Sequence, residues 1–334
     1  MKQTVAIIGS GAAGLASAFY LKDRFDVHLF ESNPSCGGHA NTITVEDTDG
    51  SHAIDTGFIV FNKPNYPHFV SLLNNLNVPY QTSDMSFAYH DKPNNHYYCS
   101  DFPRGIFAEK KLLVSPTYWR FLGELFRFKY LAQQTLNAPG SLTTLSDFLD
   151  YYNFSPYFKE TYVLPMGAAI WSLSINDTLQ FPLLSFLRFW DNHKLLNLIK
   201  RPQWQTVSNG SQAYVSAILS HLQNVHCNQK VHSVAKKETR AILTLENGHT
   251  QEFDHIIIAT HADTALSLLA EPSTLEKKLL SPWAYSINPT VFHTDQRLMP
   301  SKRALWGSWN AQHHIHDKPL SFTYYMNRLQ SIKS

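Results

Sequence analysis

The sequence predicts an α/β protein in which a parallel sheet carries a nucleotide-binding turn. Three observations support this fold class. An apolar β-branched run, a glycine-rich turn, a helical run and a second apolar run follow one another within residues 4–30, which is the pattern of a β-α-β unit. Residues 254–260 have the composition of another buried strand. The length of 334 residues is enough for about two compact units.

Composition favours a chain with a large interior and argues against several classes of protein. Apolar residues make up 43% of the chain, charged residues only 16% and aromatic residues 13%, so we expect a large core or an apolar pocket. Basic and acidic residues nearly balance, at 28 against 26, and we expect no nucleic-acid partner. The three cysteines are far apart and lack CxxC spacing, which argues against a disulfide framework or a zinc site. We assign no metal site, because no standard zinc spacing fits the cluster of His313, His314, His316 and Asp317.

The first predicted element is the β-α-β unit itself. Residues 4–8 and 27–30 are its strands, and the helix begins inside the turn that follows the first strand. Gly9 permits a tight bend, Gly11 allows the backbone to approach a pyrophosphate, and Gly14 lets helix and strand pack closely. A helix N-terminus also supplies free N–H groups and a positive dipole for phosphates. We therefore predict that a dinucleotide binds at Gly9, Gly11, Ala12, Ala13 and Gly14.

An acidic residue ends the second predicted strand. Glu31 lies twenty residues after Gly11, where a carboxylate accepts hydrogen bonds from an adenosine ribose, and we assign Ser32 to the same site. A carboxylate at this position disfavours a 2′-phosphate, so NADP is not expected. Gly37 and Gly38 follow, and two adjacent glycines allow a second backbone segment to approach the same diphosphate.

The run from Val5 to Asn41 resembles the FAD-binding start of the amine oxidase, protoporphyrinogen oxidase and phytoene desaturase group of flavoproteins. This resemblance implies FAD as the cofactor and a discontinuous Rossmann-like domain of the glutathione reductase type. In that group the second glycine segment is Gly-Gly-Arg, and His39 stands here in place of the arginine. The further cofactor contacts that the resemblance implies are Asp55, Thr56 and Gly57 near the flavin, the backbone of Val231 at the adenine, and Ala259 and Thr260 where the chain returns to the nucleotide sheet.

Other segments resemble a subgroup of predicted FAD-binding amine-oxidase-like proteins, so that the resemblance covers essentially the whole chain. These segments are DTGFIVFN (55–62), PMGAAIWS (165–172), RPQWQTV (201–207), HTDQRLMP (293–300) and WGSWN (306–310). The resemblance implies an FAD-binding domain over residues 1–61 and 205–265 and an inserted α+β substrate domain over residues 62–204 and 266–334. Full members of the group continue into a glycine-rich acidic segment that contacts the cofactor. We therefore expect the substrate domain to be incomplete at its C-terminus.

Residues 225–265 are predicted to be rich in strands. Residues 225–234 have the composition of one strand, and residues 241–245 and 251–253 flank Asn247-Gly248, a strong hairpin signal. Residues 254–260 then form the buried strand that, by the resemblance, returns to the nucleotide sheet.

The aromatic-rich middle of the chain contains a predicted helix over residues 115–133, with Ser115 as its N-cap and Pro116 as its first residue. Its rings point in nearly all directions. One interpretation is a lid or membrane-facing helix that guards a lipid-like substrate, and the other, which we favour, is a helix buried between layers. Residues 181–196 are interpreted in the same way. The small apolar residues 165–171 suit either a pocket wall or a close packing contact.

The resemblance implies an FAD-dependent oxidoreductase that takes a hydride from an apolar amine or a lipid-like small molecule. The alternative is a non-catalytic remnant that binds FAD weakly or not at all, which the expected C-terminal incompleteness suggests. We assign no catalytic acid or base, because no residue pattern demands one. No apolar run approaches the ~18 residues of a membrane span. We therefore expect a cytoplasmic protein, with peripheral membrane contact as the alternative, and the sequence predicts no oligomeric state.

Overall fold

The computed structural model describes residues 2–91, 96–101, 110–197, 201–300, 302–313 and 320–332. The chain forms two compact units, and both are discontinuous in sequence. The first unit contains residues 1–59, 68–81 and 206–290, and the second contains residues 60–67, 82–205 and 291–334. The domain boundaries implied by the resemblance, at residues 61, 205 and 265, remain a prediction.

The described residues form sixteen strands and twelve α-helices. The strands are β1 (Thr4–Ile8), β2 (Asp26–Phe30), β3 (Thr42–Asp47), β4 (Gly50–Asp55), β5 (Phe61–Asn62), β6 (Tyr80–Ser83), β7 (Phe87–Asp91), β8 (His96–Cys99), β9 (Trp204–Val207), β10 (Asn224–His226), β11 (Val231–Lys236), β12 (Ala241–Leu245), β13 (Thr250–Phe253), β14 (His255–Ile258), β15 (Trp309–His313) and β16 (Ser321–Tyr324). The α-helices are α1 (Ala12–Leu21), α2 (Pro67–Asn75), α3 (Pro116–Asn137), α4 (Leu145–Tyr151), α5 (Pro156–Phe158), α6 (Leu164–Trp171), α7 (Ile175–Leu179), α8 (Leu183–Asn192), α9 (Gln212–Leu219), α10 (Ala262–Leu268), α11 (Thr274–Leu280) and α12 (Met326–Leu329).

Parallel strands build the main sheet of the first unit, in the order β10, β2, β1, β14. Ile7 lies opposite Leu29 on one side and Ile257 on the other, so β1 is an inner strand. Its residues 5–7 are almost fully buried, which explains why its sequence is apolar without alternation. Because all four strands run the same way, the turns that follow them meet at one edge of the sheet. Those turns begin at Gly9, Glu31, Cys227 and Ala259.

The predicted β-α-β unit is confirmed, since β1 and β2 are parallel neighbours and α1 begins at Ala12. The predicted return of the chain is confirmed as well, because β14 pairs with β1 in parallel. Burial differs from the expectation, since Ile256, Ile257 and Ile258 are half-buried rather than buried. These three residues are less buried than expected because β14 is an edge strand of the sheet.

The single strand predicted over residues 225–234 is wrong. Two strands occupy this stretch: β10 joins the parallel sheet, and β11 joins a separate antiparallel sheet with β12 and β13. Between them Asn228 adopts a positive φ of 55°, a left-handed conformation that asparagine tolerates, and the chain turns there. The hairpin predicted around Asn247-Gly248 is confirmed, with β12 and β13 antiparallel and Gly248 at a φ of 83°.

Aromatic rings fill the core of the second unit. Phe128 is 1% exposed and lies at its centre. Its ring centroid is 5.6 or 5.7 Å from those of Phe148, Phe154, Phe158 and Trp190. A mixed sheet in the order β16, β15, β7, β8 contributes further rings to the same core. A large part of the aromatic content of the sequence is therefore packed into this cluster.

Helix α3 is buried on one face and exposed on the other. Its start is as predicted, since Pro116 is its first residue and the Ser115 hydroxyl accepts a hydrogen bond from the backbone N–H of Tyr118. Trp119, Phe126 and Tyr130 are 55%, 63% and 61% exposed. The favoured interpretation of a helix buried between layers is therefore wrong for this face. Among the described residues, no helix combines the length and apolarity needed to cross a membrane.

Helices α6 and α8 belong to the same core. Residues 164–169 of α6 are buried. A methyl group placed on Gly167 would lie 2.7 Å from the methyl carbon of Thr178 and 3.0 Å from the ring of Phe186. This close contact favours the packing interpretation of residues 165–171. On α8, Leu183, Phe186, Leu187 and Trp190 are buried, which agrees with the interpretation favoured for residues 181–196.

Replacing Phe128 with alanine should lower the free energy of unfolding of the second unit by about 3–5 kcal/mol, because it leaves a cavity among four rings. Phe126→Ala is the matched control, since the same change on the exposed face of α3 removes little buried contact. Urea unfolding followed by near-UV circular dichroism and tryptophan fluorescence measures both variants. Equal losses for the two variants would contradict the described core.

Candidate functional site

Two glycines at the junction of β1 and α1, Gly9 and Gly14, leave no room for a side chain. A methyl group on Gly14 would lie 1.9 Å from the carbonyl oxygen of Gly9. A methyl group on Gly9, whose φ is 98°, would lie 2.9 Å from the carbonyl oxygen of Ala259. The backbone N–H of Ala259 also donates to the carbonyl of Ile8 at 2.8 Å. These contacts press α1 against the turn and the turn against the end of β14, so the predicted roles of Gly9 and Gly14 are packing roles.

Gly11 differs from these two glycines. It has an ordinary extended conformation, with φ −65° and ψ 179°, and a methyl group placed on it would meet no atom within 4 Å. The packing of the protein therefore does not require glycine here. Gly11 is the N-cap of α1 and gives that helix no side-chain cap, while Ala12 and Ala13 are exposed. The N-terminus of α1 thus faces open space, the geometry in which helix N–H groups bind a phosphate.

The second glycine segment lies directly beside this open space. A methyl group on Gly38, whose φ is 59°, would lie 3.0 Å from the Cα atom of Gly11. The N–H of Gly37 donates to the backbone oxygen of Ser10 at 3.1 Å and to its hydroxyl oxygen at 3.2 Å. Two backbone segments that are distant in the sequence therefore border the same space, as Gly37 and Gly38 led us to expect.

Glu31 lies at the end of β2 and is 6% exposed. One carboxylate oxygen accepts hydrogen bonds from the backbone N–H of Ser10 at 3.0 Å and from the Ser10 hydroxyl. The other accepts from the backbone and side-chain nitrogens of Asn33, both at 2.9 Å, and from the Ser32 hydroxyl at 3.2 Å. Burial acts to raise the pKa of Glu31, but these hydrogen bonds outweigh it and the pKa is lowered. The side chain is therefore an anion whose position is fixed by the glycine turn.

Sequence reasoning missed the roles of Ser10 and Asn33. Ser10 connects the glycine turn to both Glu31 and Gly37, yet in the sequence it is only the variable residue of the glycine motif. The signal that could have indicated a role is its hydroxyl, which sits between two glycines at the edge of a parallel sheet.

His39 stands at the outer end of the second glycine segment. Gly57 fixes its backbone, because a methyl group on Gly57 would lie 2.3 Å from the carbonyl oxygen of His39, and the N–H of Phe58 donates to that oxygen at 2.7 Å. The exposed ring of His39 stacks with the ring of His261 at 5.9 Å, and His261 stacks with Tyr285 at 4.2 Å. No pattern in the sequence indicates this stack, since its members are up to 246 residues apart.

Asp55 is a buried carboxylate, 2% exposed. It accepts hydrogen bonds from the Thr42 hydroxyl at 2.6 Å and from the backbone and hydroxyl of Ser211 at 2.8 and 2.7 Å. Burial raises the pKa of Asp55, although these hydrogen bonds oppose the shift. They join the β3–β4 hairpin to the start of α9. Thr56 bonds through its hydroxyl to Asn41, and the predicted contact of residues 55–57 with the flavin remains a prediction.

The remaining predicted residues lie at the end of β14 and the start of β11 in the first unit. Ala259 and Thr260 follow β14, beside Gly9. Val231 begins β11, is 7% exposed and belongs to the same core cluster as Phe30. Its predicted backbone contact with adenine remains a prediction. Of the histidine cluster weighed as a metal site, His314, His316 and Asp317 lie outside the described residues.

Comparison with known proteins places these features in a family. The family model described as flavin containing amine oxidoreductase matches residues 12–330. The FAD-dependent oxidoreductase dbaF of Emericella nidulans is 33% identical over 132 residues, which are 39% of this chain and 26% of that protein.

Solved structures show the same fold at low sequence identity. Cyclohexylamine oxidase from Brevibacterium oxydans is 17% identical with a TM-score of 0.62, and a fatty acid isomerase from P. acnes is 15% identical with a TM-score of 0.58. In both comparisons the matched region covers 84% of this chain and 63% of the other. The chain thus spans less than two thirds of the length of these proteins.

These findings confirm the resemblance, the fold class of a Rossmann-like FAD-binding domain with a substrate domain, and FAD as the cofactor. The family match extends over nearly the whole chain, and the glycine turn, the anionic Glu31 and the returning strand agree with it. This chain belongs to the family of flavin containing amine oxidoreductases.

Proposed function

We propose that this protein is an FAD-dependent oxidoreductase that takes a hydride from an apolar amine or a lipid-like substrate. The observation that carries the proposal is the open space in front of the uncapped N-terminus of α1, which Gly11 leaves free and Gly38 borders. Because packing does not require glycine at position 11, a ligand that approaches the backbone best explains why glycine stands there.

The residues of the first unit fit the two polar parts of FAD. The N–H groups of Ala12 and Ala13, at the start of α1, would bind the pyrophosphate. Glu31 would accept hydrogen bonds from the ribose in exchange for some of its present donors, which are Ser10 at one oxygen and Ser32 and Asn33 at the other. The bound flavin supplies the hydride acceptor. The task of the chain is to hold the cofactor, orient the substrate and exclude water.

The substrate class is proposed from the second unit and from the relatives. The aromatic richness of the second unit and the low charge of the chain as a whole suit an apolar substrate better than a polar one. The names of two structural neighbours, a cyclohexylamine oxidase and a fatty acid isomerase, support an apolar amine and a lipid-like molecule respectively. No catalytic acid or base is proposed.

Replacing Gly11 with valine should weaken FAD binding by roughly tenfold or more, because the branched side chain would fill the space for the pyrophosphate. The variant should fold normally, since the methyl position at Gly11 meets no protein atom. Gly140→Val is the matched control, because its methyl position is equally open and it lies in the second unit. Fluorescence titration with FAD measures the affinities, and wild-type affinity in the Gly11 variant would refute the site.

Replacing His39 with arginine should strengthen FAD binding by about fivefold, because arginine carries a permanent charge and donates two hydrogen bonds to a phosphate. The matched control is His249→Arg, which makes the same change at the exposed turn between β12 and β13. The gain at position 39 should shrink at high salt. If the two variants gain equally, the effect is one of net charge and His39 does not face the phosphates.

We further propose that the exposed face of α3 contacts a lipid surface, from which a lipid-like substrate would come. Trp119, Phe126 and Tyr130 are separated by seven and four residues and therefore lie on one side of the helix. Arg120 and Arg127 are exposed at the border of that side, where Arg120 pairs with Glu124 and Arg127 donates to the carbonyl of Tyr152. Exposed rings beside cations are typical of helices that bind at an anionic membrane interface.

Vesicle sedimentation tests this contact. The protein should bind vesicles that contain anionic lipid and bind neutral vesicles less, and a variant with Trp119, Phe126 and Tyr130 changed to alanine should lose most of the binding. The control variant changes Leu275, Leu279 and Trp283, which are 63%, 58% and 62% exposed in the first unit, to alanine. Absence of vesicle binding by the wild type, or loss of binding in the control alone, would contradict the proposal.

A further inference from the structure

Two of the three cysteines lie side by side at the edge of the nucleotide sheet. The sulfur atoms of Cys36 and Cys227 are 3.6 Å apart, although 191 residues separate them in the sequence. Both are free thiols. Cys36 is buried, immediately before Gly37, and Cys227 is partly exposed, immediately after β10.

Backbone hydrogen bonds hold the two segments that carry these cysteines close together. The N–H of Glu31 donates to the carbonyl of His226, and the N–H of Gln229 donates to the carbonyl of Glu31, both at 2.9 Å. The N–H of Asn228 donates to the carbonyl of Asn33 at 3.1 Å. Three hydrogen bonds thus hold the segments that carry the two cysteines against each other. The sulfurs, now 3.6 Å apart, would have to approach to about 2.05 Å to form a disulfide.

We propose that Cys36 and Cys227 are a redox-active pair that forms an intramolecular disulfide on exposure to hydrogen peroxide. The disulfide would fasten the base of the Gly37–Gly38 segment to the turn after β10. It would therefore modify the wall of the nucleotide site, because the N–H of Gly37 is bonded to Ser10 and Ser10 is bonded to Glu31.

The two sulfurs have different roles in the reaction. The Cys227 thiolate is the partly exposed one and attacks peroxide: an S–O bond forms, the O–O bond breaks, and the departing hydroxide takes a proton to become water. The Cys36 sulfur then attacks the oxidised sulfur: the S–S bond forms, the S–O bond breaks, and hydroxide leaves with the Cys36 proton as a second water. One peroxide is reduced to two waters, and two thiols become one disulfide.

The environment of Cys36 supports this order. Burial raises the pKa of the Cys36 thiol to about 11, so it is a poor first nucleophile for a dissolved oxidant. It is nevertheless held next to the sulfur that reacts first, which is the position of a resolving thiol. Cys99, the third cysteine, is fully buried in the second unit, and we expect it to remain reduced.

The experiment uses the reduced, desalted protein and a small molar excess of hydrogen peroxide. Intact mass spectrometry should show the loss of two hydrogen atoms, thiol titration under denaturing conditions should fall from three thiols to one, and digestion should give a peptide pair linked through Cys36 and Cys227. Dithiothreitol should restore all three thiols. The yield should not depend on protein concentration, because the bond is intramolecular.

The control variant Cys99→Ser should form the same linked peptide pair, whereas Cys36→Ser and Cys227→Ser should not. The wild-type mass measurement alone decides the matter if a variant fails to fold. Addition of oxygen atoms to Cys227 without a linked peptide, or a disulfide that involves Cys99, would overturn the proposal. The test does not rest on the proposed oxidoreductase function, since the peroxide is supplied.

Discussion

The first unit depends on one packing constraint, the meeting of β1, α1 and the end of β14 without an intervening side chain. A single methyl group on Gly14 would lie 1.9 Å from a backbone oxygen, and one on Gly9 would lie 2.9 Å from another. No rotation of a side chain relieves such contacts, because the neighbouring atoms belong to the backbone. The absence of side chains brings the N-terminus of α1 to the carboxyl edge of the sheet, where its free N–H groups can bind an anion.

A hydrogen-bonded network then fixes what borders that helix terminus. Ser10 holds Glu31 through its backbone and hydroxyl and receives the N–H of Gly37. The carboxylate, the glycine turn and the second glycine segment are therefore positioned together. Through the same connection, the proposed disulfide between Cys36 and Cys227 would act on Gly37 and Ser10. Within this group Gly11 alone has open space above it.

Local pattern in the sequence predicted most of this unit. The β-α-β unit and the hairpin at Asn247-Gly248 are each encoded within a short window, so periodicity and turn residues identify them. The return of β14 to the nucleotide sheet was implied by the family resemblance, since no short window encodes the pairing of two distant strands. The break between β10 and β11 was missed, because the left-handed turn at Asn228 interrupts an otherwise strand-like run. Residue types alone do not show that the two halves of the run join different sheets.

Contacts between distant segments could not be predicted. The ring stack of His39, His261 and Tyr285 and the pairing of Cys36 with Cys227 both join residues nearly two hundred or more positions apart, and only the fold brings them together. The interpretation favoured for α3, a helix buried between layers, was wrong for its exposed face for a related reason. Aromatic residues occur on all sides of this helix, and the tertiary structure decides which sides are covered by other residues.

The most direct test of the central claim, that the glycine turn of this chain binds FAD, is the absorption spectrum of the purified protein before and after incubation with FAD and removal of unbound cofactor. Flavin bands in near-stoichiometric amount, either as purified or after incubation, are the predicted result. A colourless protein that FAD cannot reconstitute would contradict the claim and would favour the alternative of a non-catalytic remnant.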